Sequence, residues 1–267
     1  MSLKGKFALV TGGSRGIGKG IALKLAAEGA RVAVHYYRNE KAAKETLEGV
    51  RRAGANGIVV QADVTKPEEV KGLLDRMKGE FGSLDIFVSN ARPEAPEFFE
   101  APLKITLEQW NTAFHSQATA FLVGAREASK LMSDGGRIIA LTWAPGGQSG
   151  GLQPWVAMGA AKAALETLVR YFAVALAQRG ITVNSVSPGW TEDSVLNSLP
   201  PAAQSAIRDW HAQGWTPMRR LGTPEDIGNV VALLCREEAA WITGQLIVAD
   251  GGASLMTSEV PPALQLG

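Results

Sequence analysis

Short apolar runs alternate with longer amphipathic segments along most of the chain. The first run covers residues 7–10, and the segment that follows it repeats Ile17, Ile21 and Leu25 at helical spacing. The same alternation continues to a last apolar run near Ala249. Strands that alternate with helices are joined by right-handed crossovers, which places them in a parallel sheet with helices on both faces. The pattern therefore predicts an α/β fold.

The predicted elements fill one continuous domain. Strands are predicted at residues 7–10, 31–36, 57–61, 84–89, 136–141, 181–187 and 245–249. Helices are predicted at residues 17–28, 40–53, 67–81, 157–178 and 224–235, with one long helix or two shorter ones within 106–132. We expect a Rossmann-type, doubly wound parallel sheet in a single domain over residues 1–257. Residues 258–267 form a tail of low apolar content, for which we expect disorder.

Composition and charge narrow the function. The 267 residues carry a formal net charge of +1, which favours neither nucleic acid nor an anionic membrane as a partner. The single cysteine, Cys235, excludes an intramolecular disulfide and suits the cytoplasm; its apolar surroundings predict a buried position. No apolar stretch reaches the length of a membrane-spanning helix. The three histidines are scattered, so we expect no metal site.

A glycine-rich turn lies between the first strand and the first helix. It reads TGGSRGIG over residues 11–18. Glycines allow a tight turn and a close approach of the backbone to a pyrophosphate, which the N–H groups of the helix N-terminus then bind. A glycine turn alone is weak evidence, but a strand before it and a helix after it make a dinucleotide-binding site the favoured interpretation.

This motif resembles that of the short-chain dehydrogenase/reductase family, and the likeness covers nearly the whole chain. Asp63-Val64, Asn90-Ala91 and Pro188-Gly189 resemble family segments along the cofactor, although the sequence SNAR at 89–92 differs from the family's NNAG at both ends. The resemblance and the motif together predict cofactor binding by Gly12, Ser14, Arg15, Gly16, Ile17, Gly18, Arg38, Asp63, Val64, Asn90, Ala91, Lys162, Pro188 and Gly189.

The end of the second strand favours NADP(H) over NAD(H). An acidic residue there binds the ribose 2′-hydroxyl of NAD, whereas arginine accommodates the 2′-phosphate of NADP. The sequence after the strand has Arg38 and no acid before Glu40, and Arg15 lies within the glycine turn. We expect the two arginines to clamp the 2′-phosphate; the alternative is that both are solvated surface residues.

The residues that carry the family's proton chemistry are replaced. The resemblance implies a tyrosine four residues before Lys162, but Met158 stands there, and a thioether has no proton to give. Enoyl-thioester reductases of the family place their tyrosine seven residues before the lysine, where this chain has Trp155. The serine position falls on Trp143, after Thr142, and the supporting asparagine position on Gln117. These six residues are the candidate catalytic set.

The surviving chemistry favours some reactions over others. Reduction of a carbonyl needs a proton at a developing alkoxide, whereas reduction of an activated C=C or C=N bond demands less of an acid. Trp155, Thr142, Gln117 or Gln148 would donate hydrogen bonds to an oxyanion, and Lys162 would contribute charge. The tryptophans predict a pocket for a large apolar or aromatic small-molecule substrate. Arg92 is a candidate ligand for an acidic substrate group, unless it is a solvated loop residue.

Three hypotheses follow. The first is an atypical NADPH-dependent reductase of activated C=C or C=N bonds. The second is a non-redox biosynthetic catalyst such as a cyclase, dehydratase or isomerase, and the third is a catalytically silent partner subunit. The resemblance also implies a homodimer or homotetramer that pairs through the helices near residues 113–132 and 157–178.

Overall fold

A seven-stranded parallel sheet forms the centre of the computed structural model, which describes residues 2–94, 97–143, 154–192, 195–256 and 260–265. The strands, numbered β1 to β7 in chain order, are Phe7–Val10, Arg31–Tyr36, Gly57–Gln61, Ile86–Ser89, Arg137–Leu141, Thr182–Pro188 and Leu246–Ala249. Their order across the sheet is β3-β2-β1-β4-β5-β6-β7. The order reverses between β1 and β4, which confirms the predicted Rossmann-type architecture.

Helices cover both faces of the sheet. Numbered α1 to α9, they are Gly16–Ala27, Glu40–Arg52, Pro67–Phe81, Leu107–Phe114, Ala120–Leu131, Val156–Leu176, Pro201–Trp210, Pro224–Cys235 and Pro262–Gln265. Residues of β1 alternate between two apolar cores, because successive side chains of a strand point to opposite faces. Ala8 and Val10 pack into the core beneath α1, α2 and α8, and Leu9 packs into the core beneath α3, α5 and α6.

Helix starts follow local capping chemistry. At the start of α8 the Thr223 hydroxyl accepts the Asp226 N–H, and the Asp226 carboxylate accepts the Thr223 N–H. Pro224 at the first helical position completes a strong start signal, and the predicted bounds of this helix are correct. The segment predicted as one helix or two is helical from Leu107 to Leu131, with a π-helical turn at His115–Thr119 between α4 and α5.

Helices α1 and α8 approach each other closely through two glycines. A Cβ atom on Gly20 would lie 2.2 Å from the carbonyl oxygen of Pro224, and one on Gly228 would lie 2.7 Å from the carbonyl oxygen of Gly20. Only glycine fits such a backbone contact, so these two positions fix the depth at which α1 sits against α8.

Two elements differ from the sequence expectations. Helix α7 was not predicted, because the segment around it is rich in loop-forming residues. Within the tail, residues 260–265 are described, and they contain the short helix α9 with a buried Pro262. Cys235 is buried as predicted. Among the described residues, no helix has the length and apolar character needed to cross a membrane.

Candidate functional site

A cavity of about 890 Å³ opens where the carboxyl ends of β1 to β6 meet. This is the crevice in which ligands of doubly wound sheets bind. Every residue that the sequence predicts for cofactor binding lines this cavity. Five of the six candidate catalytic residues line it as well, and Gln117 does not. One continuous site therefore joins the predicted cofactor cradle to the predicted reaction centre.

The glycine turn has the backbone that the motif predicts. Gly12 and Gly16 have φ angles of 63° and 52°, in the left-handed region that favours glycine. A Cβ atom on Gly18 would lie 2.1 Å from the carbonyl oxygen of Gly12, so this position also requires glycine. Helix α1 begins at Gly16 and points its unpaired N-terminal N–H groups toward the turn. The turn can accept a pyrophosphate.

His35 holds the backbone of the glycine turn by a hydrogen bond. This buried histidine of β2 accepts the N–H of Gly12 with its Nδ1 at 2.9 Å, and its Nε2 lies 3.0 Å from the carbonyl oxygen of Ala62. The N–H can only donate, so the imidazole is neutral and carries its proton on Nε2. Burial lowers the pKa of His35 to about 4, which keeps it neutral at physiological pH.

Asn90 holds the turn from the side of β4. Its side-chain amide donates to the carbonyl oxygens of Thr11 at 2.9 Å and Gly12 at 3.3 Å. The Thr11 hydroxyl in turn accepts the backbone N–H groups of Asn90 and Ala91. The strand order reverses between β1 and β4, and the residues that follow these two strands are thus hydrogen-bonded to one another. These bonds preorganise the glycine turn.

Basic side chains occupy the cavity end beside β2. The Arg38 guanidinium stacks 4.5 Å from the ring centroid of Tyr37 and donates to the Tyr37 hydroxyl at 3.2 Å. Arg15 pairs with the carboxylate of Glu94 at 2.9 Å, and both side chains are well exposed. A phosphate that replaced this carboxylate would find two guanidinium groups with free donors, so the residues present fit a 2′-phosphate.

Aromatic side chains line the opposite end. The rings of Trp143 and Trp155 lie 4.7 Å apart at an interplanar angle of 31°, and Phe98 packs edge-on against Trp155 at 5.0 Å. Met158 lies in the same cluster and is buried. The predicted tyrosine and serine positions are therefore occupied by apolar surface that lines the cavity.

Two side chains of helix α6 form hydrogen bonds with Leu141, the last residue of β5, and with Thr142, which follows it. Lys162 Nζ donates to the carbonyl oxygen of Leu141, and the Thr142 hydroxyl donates to the carboxylate of Glu166. Lys162 and Glu166 are one helical turn apart and so share a face of α6. Because its one proton is directed at Glu166, the Thr142 hydroxyl can only accept a further hydrogen bond, whereas the sequence predicts an oxyanion donor.

The electrostatic surroundings of Lys162 are unusual. The side chain is 7% exposed, and its burial lowers the pKa of the ammonium group to about 7. The positive charge of Arg92 acts in the same direction, and the negative charge of Glu166 opposes both. An ammonium group has three donors, and the bond to Leu141 uses one. Lys162 keeps two N–H donors for a ligand.

Two further candidates are placed by their hydrogen bonds. Gln117 lies in the π-helical turn, where its amide donates to the carbonyl oxygen of Ala91 at 3.1 Å and to Ser116 Oγ at 3.2 Å. Gln117 therefore supports Ala91 of the cofactor cradle and does not line the cavity. Gln148, also predicted as an oxyanion donor, lies outside the described residues. Arg92 lines the cavity and is exposed to it, with one hydrogen bond, to the carbonyl oxygen of Pro93 at 2.9 Å.

The sequence reading missed several cavity residues. Ser116 lines the cavity, whereas the sequence pointed to its neighbour Gln117. Glu166 accepts a hydrogen bond from Thr142, and its four-residue spacing from Lys162 is the sequence signal that could have indicated its position beside the site. Residues 195 and 197–200, before α7, also line the cavity and carry no motif. Within the described ranges, no group of three or more His, Cys, Asp and Glu side chains is arranged to hold a metal ion.

Comparison with known proteins gives consistent matches. Residues 12–254 match a family described as enoyl-(acyl carrier protein) reductase. A hydroxynaphthalene reductase-like protein of Metarhizium brunneum is 36% identical, with 94% of this chain and 96% of that protein covered. The 1-cyclohexenylcarbonyl-CoA reductase of Streptomyces collinus is 37% identical, with 93% and 87% covered.

A solved structure extends the match to three dimensions. The angucycline C-6 ketoreductase LanV with bound NADP superposes with a TM-score of 0.85 at 36% identity, over 96% of this chain and 98% of LanV. The family match, the full-length relatives and the shared fold agree with the sheet order and the glycine turn described above. The chain belongs to the short-chain dehydrogenase/reductase family and is a reductase-type member of it.

Proposed function

We propose that this protein is an NADP(H)-dependent reductase of an activated C=C or C=N bond, acting without the family's tyrosine acid. The observation that carries the proposal is the pairing of an intact cofactor cradle with an apolar reaction end. Met158 and Trp143 replace the two hydroxyl groups that would protonate and steady a carbonyl oxygen.

The cradle supports the cofactor part of the proposal. In this proposal the glycine turn binds the pyrophosphate, Arg15 and Arg38 bind the 2′-phosphate, and Lys162 binds the nicotinamide ribose. When bound, the reduced nicotinamide supplies the hydride. His35 and Asn90 both hold the backbone of the glycine turn by hydrogen bonds. A protein that no longer bound nucleotide would have no need of a turn held in this way.

The reaction end supports the choice of bond. Hydride addition to an enone or enoyl thioester gives a delocalised enolate, and hydride addition to an iminium gives a neutral amine, so neither product demands a strong acid. The relative from Streptomyces collinus is named as a reductase of a cyclohexenylcarbonyl thioester, which fits the first of these substrates. Tryptophans 143 and 155 favour a flat, apolar substrate.

The chain also presents apolar side chains that suit self-association. Tyr171 and Val174 on α6 are 73% and 80% exposed, on a helix whose small residues Ala160 and Ala164 permit close packing. We include a homodimer or homotetramer through this helix in the proposal. Size-exclusion chromatography with light scattering tests it, and a monomer at micromolar concentration contradicts it.

The test of the function has two stages. Calorimetric titration of nucleotide-free protein should give micromolar binding of NADPH and much weaker binding of NADH. NADPH oxidation is then followed with 2-cyclohexen-1-one, its saturated control cyclohexanone and the cyclic imine 3,4-dihydroisoquinoline. Turnover of the enone or the imine with none of the ketone supports the proposal. Equal turnover of the ketone overturns it, and absence of nucleotide binding favours the non-redox or partner-subunit hypothesis.

A further inference from the structure

The reaction end of the cavity contains few groups that can still donate a proton. The Thr142 proton is directed at Glu166, and both amide protons of Gln117 are engaged by Ala91 and Ser116. Met158 has no donor. Of the six candidate catalytic residues, this leaves the indole N–H groups of the two tryptophans and the ammonium group of Lys162. An indole is too weak an acid to transfer its proton near neutral pH.

We propose that Lys162 is the proton donor of the reaction, taking over directly the role that a tyrosine has in the rest of the family. The proposal rests on the reductase function proposed above. The Lys162 side chain lines the cavity, is nearly inaccessible to bulk water and is held at one N–H by Leu141. Met158 lies one helical turn before Lys162 on α6 and lines the same cavity, so the two side chains share a face of the helix.

The surroundings make this ammonium group a better acid than an ordinary lysine. Burial lowers its pKa to about 7, and Arg92 adds to that effect across the cavity. Glu166, the acid one turn away on α6, opposes the effect but is bonded to Thr142. A proton donor works best when its pKa lies near the pH at which the protein operates. An exposed lysine, with a pKa above 10, would hold its proton too tightly.

The step balances without another reactant. Hydride from the reduced nicotinamide forms a C–H bond at the β-carbon of an enone, and the π electrons of the C=C bond move to the carbonyl oxygen. The Nζ–H bond of Lys162 breaks and its proton bonds to that oxygen, giving an enol that becomes the saturated ketone. Lys162 is left as a neutral amine and recovers its proton from water that enters the cavity after the product has left.

The experiment separates proton donation from cofactor binding. Lys162→Arg keeps a positive donor but cannot release a proton near neutral pH, and Lys162→Met removes both functions. Lys71→Met, on the exposed face of α3, is the matched control. We expect kcat for the enone to fall about 100-fold in Lys162→Arg, with NADPH affinity retained within about fivefold. The wild type should lose kcat as pH rises above the Lys162 pKa, and this limb should be absent from both variants.

A measurement on the unloaded protein is independent of activity. Because Lys162 is buried, lysine labelled with ¹³C at Cε is incorporated biosynthetically, and an NMR titration reports the pKa of Lys162. Its signal is assigned by its absence from Lys162→Arg and from Lys162→Met. A value near 7 supports the proposal, and a value near that of Lys71 overturns it. A wild-type kcat or an unchanged pH limb in Lys162→Arg also overturns it, while the reductase function stands. A wild type inactive on every substrate overturns both proposals.

Discussion

The imidazole Nδ1 of His35 accepts the backbone N–H of Gly12 at 2.9 Å, so a titratable side chain supports the first glycine of the cofactor turn. Protonation of Nδ1 would turn this bond into a clash of two donors. The pKa of His35 is lowered by burial from 6.5 to about 4, so the unfolded chain takes up the proton before the folded chain does. Stability is therefore full above pH 6.5 and falls as the pH drops toward 4, by up to about 3 kcal/mol.

This acid sensitivity is checked by urea unfolding between pH 7 and pH 4.5. His35→Gln keeps a donor and an acceptor but cannot titrate, so it should lose less stability than the wild type over this range. The remaining loss comes from His211, whose pKa is also lowered by burial, and the exposed His115→Gln should behave as the wild type. Glu28 and Asp226 have pKa values lowered to about 2, and their contributions are lost only below about pH 4.5. Parallel curves for His35→Gln and wild type would contradict the prediction.

The two arginines at the β2 end should set the choice of nucleotide. Replacing Arg15 and Arg38 together with alanine removes the charge-assisted bonds to a 2′-phosphate, which NADH lacks. We expect the Kd of NADPH to rise more than tenfold and that of NADH to change less than threefold, because each such bond contributes about 1.5–3 kcal/mol. Calorimetry measures both constants, with Arg52→Ala on α2 as the control. An equal loss for both nucleotides would exclude a 2′-phosphate clamp.

Substitution of Met158 tests whether ketone reduction by this protein requires the missing tyrosine hydroxyl. Met158→Tyr restores a hydroxyl at the position that the family resemblance identifies, and Trp143→Ser in the same chain restores the second hydroxyl and makes room. We expect NADPH-dependent reduction of an aromatic ketone by the double variant and none by the control pair Met158→Phe with Trp143→Ser. The larger ring at a buried site should cost about 1–3 kcal/mol of stability. Equal activity of the Tyr and Phe pairs would show that the new hydroxyl is not the acid.

Gly18 should be intolerant of any side chain. The Cβ atom of Gly18→Ala would lie 2.1 Å from the Gly12 carbonyl oxygen and 2.5 Å from Asn90 Nδ2, so the turn must open. We expect NADPH binding to be lost and the protein to be destabilised by more than about 2 kcal/mol. Gly72→Ala on α3 has no atom within 4 Å of its Cβ and should stabilise the protein by about 0.5–1 kcal/mol. Thermal unfolding with calorimetry distinguishes the two, and intact nucleotide binding by Gly18→Ala would contradict the proposed cradle.

The sheet could be predicted because each buried strand is a continuous apolar run bounded by a helix start or stop. The bounds of α8 were predictable to the residue, since Thr223, Pro224 and Asp226 form a capping sequence that depends on local chemistry alone. The cofactor residues were predicted from the glycine turn and from the family resemblance. They line one cavity because parallel strands bring their carboxyl ends to one edge, so the residues that follow each strand converge.

The side-chain contacts that determine which groups can react could not be predicted from the sequence. His35 lies in an apolar strand and looks like an ordinary core residue, and only the fold brings it beneath Gly12. The sequence predicts Thr142 and Gln117 as donors to a substrate, but in the fold they already donate to the Glu166 carboxylate and the Ala91 carbonyl oxygen. A sequence gives the inventory of donors, whereas the structure shows which of them are already used.

The glycine contact between α1 and α8 bears on how the protein is made. Gly20 meets the backbone of Pro224, so the helix that presents its N-terminus to the cofactor packs against a segment that is synthesised much later than α1 itself. A nascent chain that has emerged from the ribosome only as far as β6 has the whole glycine turn, but its α1 packs on β1, β2 and α2 without the backbone contact to α8. The glycine turn is therefore supported from both sides only after α8 has been synthesised, and we expect tight nucleotide binding only from that stage.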